Sequence, residues 1–244
     1  MSAALPSPGA PPAAPSPPDA PVTSVPGAIA RMEAIGAALP AGDGLACFNR
    51  MYLDVTSQVN AQLDQGFYAD PTFMTELDVK FANLYFAAAD MAGNPADVPL
   101  AWRPLVERRG TAGIESIQFA LAGMNAHINH DLPMAVVNTC IALATSPEDG
   151  DHFADYQKVD QLLDAAEQAI RQSFETAAEL DADHHLAAVA TLICNWTING
   201  ARDLAWNNAR LLWAVRDNPL ARGLLLDSLA TSTALASQML LVAV

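Results

Sequence analysis

Basic charge is scarce in this chain: 12 Lys and Arg stand against 27 Asp and Glu, for a formal net charge of −15. The lysines are Lys80 and Lys158, and the one adjacent basic pair is Arg108–Arg109. A phosphate backbone would be repelled, so no nucleic acid is expected as a partner. Cysteine is nearly absent. Cys47, Cys140 and Cys194 are an odd number, lie far apart and form no C-x-x-C pair, which excludes a zinc knuckle and a secreted disulfide framework. Each sits in an apolar stretch and reads as a small core residue in a reducing, cytoplasmic setting. The first basic residue is Arg31, with no apolar run before it, so a secretory signal is not indicated. Polar groups interrupt every apolar stretch well short of the roughly 18 residues that cross a bilayer, so no membrane partner is expected. Also missing are a G-x-S-x-G elbow, a P-loop, a G-x-G-x-x-G loop, an H-E-x-x-H pair and an aspartate-rich D-D-x-x-D run. No stretch alternates with period two, and no fixed-length repeat occurs.

What the chain does have is helix-forming, apolar sequence. Hydrophobic residues make up 52% of it, enough for one large core. Nine of its 17 prolines fall in residues 1–26 among Ala, Ser and Gly, a composition with nothing to bury that predicts a disordered tail. Residues 27–244 then read as one all-α domain, a multi-helix bundle. Helices are predicted over about 27–39, 43–65, 71–91, 100–109, 113–130, 133–145 and 151–179, from Asp181 or Asp183 to 216 with an interruption near Asn199-Gly200, and from 219 onward. Gly66, Gly110 and Ser146-Pro147 supply stops, and Asp70-Pro71 and Asn218-Pro219 supply starts. Pro133 cannot donate to a helical ladder and should kink or break the chain around Asp131-Leu132-Pro133.

The densest polar sequence sits there, between apolar runs: Asn125-Ala126-His127-Ile128-Asn129-His130-Asp131. On a continuous helix His127 and Asp131 are four apart and share a face, as an imidazole and a carboxylate ligating a divalent metal do. Asp78 and Asp155, each beside apolar residues, are the candidates to complete such a site. The competing explanation is structural: Asn129 and His130 satisfy backbone groups freed by the proline, and Asp131 caps the following helix. Arg202 and Trp206 lie four apart on one stripe, so Arg202 is a candidate buried cation with Asp78, Asp131 or Asp155 as counter-charge. His152, His184 and His185 stand near helix starts and read as solvated.

Three segments, Leu77 to Phe86, Ala122 to Pro133 with its Asn-Ala-His-Ile-Asn core, and Asp155 to Asp160, resemble an uncharacterised bacterial family frequent in actinobacteria, domain of unknown function 5995. The likeness runs from about residue 28 to the C-terminus. Asp160 stands where the family has Asn, and Asp203 where it has Glu. The resemblance implies no activity; it groups His127, Asp131, Asp78, Asp155 and Arg202 into one constellation.

Two functions of different class follow. One is a divalent-metal-dependent enzyme acting on a small molecule, with His127, Asp131, Asp155 and Asp78 as ligands. The other is a non-catalytic protein that binds a small molecule or a partner helix, its residues Asn125, His130, Arg202 and Trp206 forming a structural or substrate-binding network. Chelation separates them: a metal site requires that a chelator lower the melting temperature of the parent and leave His127→Ala unaffected.

Overall fold

The computed structural model describes residues 20–163 and 197–243, and among them regular structure is helical throughout. Nine α-helices lie wholly within these residues: α1 (Val25–Ala38), α2 (Gly44–Asp64), α3 (Pro71–Asp90), α4 (Arg103–Arg108), α5 (Ser116–Ala126), α6 (Leu132–Ala142), α7 (His152–Lys158), α8 (Ile198–Ala214) and α9 (Pro219–Leu240). Residues 1–19 of the proline-rich stretch, and with them most of the predicted tail, lie outside the described residues. So do most of the helix predicted over 151–179, the Asp181 or Asp183 cap, His184, His185 and Cys194.

Several helix starts follow from local chemistry. Asp43, Asp70, Thr197 and Asn218 each accept a backbone N–H of the first turn, and Pro71 and Pro219 occupy positions where no donor is needed. The interruption expected near Asn199-Gly200 is thus a start, capped by Thr197. Helix α2 gives way to Gly66, whose φ of +67° suits a residue without Cβ. Helix α6 stops earlier than expected, at Ala142, where Ala144 turns to a φ of 53° before Ser146-Pro147 is reached.

The tail boundary also moves. Val22 exchanges two hydrogen bonds with the Asn83 side chain of α3, Ser24 caps α1, and Val25 is buried. The folded unit therefore begins before residue 27.

The core is built where α2 lies on α5, α3 and α8 lie on α6, and α1 and α9 close the outside. Phe48, Tyr85, Trp102, Phe73 and Phe86 fill its centre. Close approach of α2 to α5 depends on Gly123, where an added Cβ would lie 2.4 Å from Cγ of Phe48. Cys47 and Cys140 are buried and free, as core residues.

Pro133 does not break the chain. Helices α5 and α6 are joined by one π-helical turn, His127–Asp131, in which Leu132 N–H reaches back five residues to the carbonyl of His127. The wider turn removes the clash a proline makes with the carbonyl four residues before it. Asp131 provides no side-chain cap to α6, so the proposed capping role is corrected.

Gly123→Ala should lower stability by about 1–3 kcal/mol despite alanine's better helix propensity, because the methyl overpacks the Phe48 ring. Denaturant unfolding of the two proteins measures this.

Candidate functional site

The π-turn places His127, His130 and Asp131 on the inner side of the bundle, all buried. The Asp131 carboxylate collects three donors. Trp102 Nε1 lies 2.9 Å and His127 Nδ1 3.0 Å from Oδ2, and His130 Nδ1 lies 2.8 Å from Oδ1. Burial alone would push this carboxyl up, but the hydrogen bonds from His127 and His130 outweigh it and hold it below the usual carboxylate range. Burial likewise pushes His127 below the usual imidazole range, against the pull of Asp131. The pair is therefore an ionised carboxylate beside a neutral imidazole. Since the carboxylate only accepts, Nδ1 carries the proton and Nε2 is left with a bare lone pair.

That Nε2 has no hydrogen-bond partner, although it is buried. The same holds for Asp78 Oδ2 on α3 and for Tyr52 Oη on α2, with Thr56 Oγ1 one turn beyond the phenol. His127, Asp78 and Tyr52 all line one cavity of about 80 Å³. The rest of its described wall is mainly apolar: Phe48, Met74, Leu77, Phe81, Ile128 and Val159 among others. Phe81 lies flat on the His127 ring at 3.4 Å between centroids, and Tyr52 meets it edge-on at 4.5 Å. Desolvation raises Asp78 to about 7. Burial, and then the charge of Asp78, raise Tyr52 well above the usual phenol value, so the phenol stays protonated. A second depression of about 420 Å³, open and lined by Asn125, Asn129, Thr197 and Thr233 among others, has no unpartnered buried polar atom in its described wall.

The predicted residues divide among separate places. His127, Asp131 and His130 come together, and Asp78 joins His127 at the cavity. Asp155 does not. It is held by the backbone N–H groups of Ala69 and Asp70 at 3.0 and 2.6 Å and by Lys158 at 2.7 Å, tying α7 to the start of α3. Arg202 is buried as expected, but its partners are Asp160 at 2.6 Å and the Tyr156 carbonyl at 2.6 Å rather than Asp78, Asp131 or Asp155. Its guanidinium also covers the Tyr156 ring, against which Trp206 packs. Asn125 bonds the Thr233 carbonyl and Ser237 Oγ, fastening α5 to α9, while Asn129 bonds Asn125 instead of freed backbone. His152 is buried, not solvated: it stacks on Phe73 and bonds the Ser146 carbonyl. Among the described residues no group of three or more His, Cys, Asp or Glu is placed to hold a metal ion.

Tyr52 and Trp102 went unnoticed in the sequence. Nothing near either marks it, since the relation of Trp102 to Asp131 spans 29 positions and exists only once α5 and the π-turn are in place.

The described residues form a helical protein with a partly open, mainly apolar cavity that carries a few polar groups, a common form for small-molecule sites. No helix among the described residues is long and apolar enough to cross a membrane. The chain belongs to the family of unknown function DUF5995, whose model matches residues 25–243. No curated protein and no solved structure matches it.

A carboxyl whose folded value is raised favours folding while neutral, and that contribution is lost as pH climbs from the ordinary carboxylate value through about 7. Asp78→Asn should therefore raise the melting temperature at pH 8 and change it much less at pH 4. Calorimetry at the two pH values checks the sign.

Proposed function

We propose that this domain binds a small, mainly apolar molecule with a hydrogen-bonding head group, seated in the cavity between α2, α3, the π-turn and α8. The observation that carries the reading is that three residues with unpartnered buried polar atoms, Tyr52 Oη, Asp78 Oδ2 and His127 Nε2, line the same mainly apolar cavity. Each such group costs about 1–3 kcal/mol when left unmade, and native interiors hold few of them. Three on one cavity mark where an outside partner is expected to pair. The Asp131–Trp102–His130 arrangement supports the reading, because it fixes which His127 nitrogen is free.

A second reading, a divalent-metal enzyme, has less support. Asp131 already accepts three bonds and Asp155 serves elsewhere, which leaves two carboxylate or imidazole donors, His127 and Asp78, open at the cavity. The Asp131–His127 pair also has the form of a general base with its orienting carboxylate. Acid–base chemistry on a bound molecule would follow from ligand binding, not replace it.

Native mass spectrometry of the full chain, with small alcohols, ketones and amines offered as probes, should show one-to-one adducts. Val59→Phe, which fills the cavity, should abolish them. If no probe binds and a crystal shows only water bridging Tyr52, Asp78 and His127, the proposal fails.

A further inference from the structure

The geometry points to an ammonium head: the cavity takes a primary amine on a short apolar body, its three N–H donors shared among Asp78 Oδ2, His127 Nε2 and Tyr52 Oη. This rests on the cavity being a ligand site and names the ligand's class. The argument is one of donors and acceptors. His127 Nδ1 donates to Asp131, so Nε2 can only accept. Asp78, when ionised, can only accept; the protonated Tyr52 hydroxyl brings one donor of its own, which a single acceptor can take, and its oxygen still accepts through its lone pairs, so acceptors remain in excess. A head group complementary to this set must be rich in donors. A hydroxyl brings one, a carbonyl none, and a carboxylate brings none and adds repulsion from Asp78. A protonated primary amine brings three.

Charge agrees with this count. Arg202 also lines the cavity, but its Nε and Nη2 are taken by Asp160 and the Tyr156 carbonyl, and no ion pair joins it to Asp78. Among the described residues no cation pairs with Asp78, which stands in a wall that also carries Phe48, Tyr52 and Phe81. A net charge of −15 draws cations toward the surface from further away.

The test is a matched series of n-butylamine, 1-butanol and butyrate, titrated into the full chain at pH 8 by ligand-observed NMR. Butylammonium should bind at least about tenfold more tightly than butanol, and butyrate should not bind. Asp78→Asn should remove most of the amine's advantage while leaving butanol affinity within about twofold, with Tyr52→Phe giving a smaller loss. Butanol binding as well as or better than butylamine in the parent would overturn the ammonium assignment while supporting the cavity as a ligand site. So would amine binding that Asp78→Asn leaves unchanged. Failure of all three probes to bind would overturn both.

Discussion

The buried carboxylate of Asp131 is the constraint on which the rest of the inner structure depends. An ionised group at 2% exposure is tolerable only when its lone pairs are filled, and here Trp102, His127 and His130 fill them. Meeting that requirement ties the segment before α4 to the α5–α6 junction. It also orients His127, and the aromatic shell of Phe48, Tyr52, Phe81, Tyr85 and Trp102 packs around that ring. A hydrophobic substitute at position 131 would avoid the desolvation but leave three donors without an acceptor.

Two kinds of buried polarity coexist a few ångströms apart. Around Asp131, Asp155 and Arg202 every described contact is closed, and each cluster joins elements distant in sequence: Trp102 to the π-turn, α7 to the start of α3, and α8 to residues 156 and 160. These are fasteners. At the cavity Tyr52, Asp78 and His127 each leave a buried polar atom unpaired, which costs stability and gives no structural return. Proteins accept such local losses where function requires them.

Much of the fold could be read from the residues. Caps at Asp70 and Asn218, the stop at Gly66 and the absence of alternation gave helices near their observed positions, because each is a local effect. The four-residue spacing of His127 and Asp131 suggested a shared helix face for metal ligands; in the structure the two bond each other across the π-turn. What could not be read was long-range. Asp155 and Asp78 look alike in sequence, each a carboxylate among apolar neighbours, and only packing shows that one meets two backbone amides and a lysine while the other meets nothing at Oδ2. Arg202 was expected to find a carboxylate, and Asp160 lay nearer than the three considered. Pro133 suggested a break, but a proline's effect depends on whether the preceding turn can widen, and neighbouring packing decides that.

The π-turn has a consequence for how this chain can tolerate changes of length. An α-helix advances by about 100° per residue, so a turn that absorbs one extra residue resets the phase of everything after it. Helix α6 faces α3 and α8 with Ala135, Val136 and Cys140 buried only because His127–Asp131 supplies that offset. Losing a single codon from this stretch would rotate the apolar stripe of α6 away from its neighbours even if every remaining residue were unchanged. The junction is therefore far less tolerant of insertion and deletion than of substitution, although it lies in the middle of an unbroken helical path.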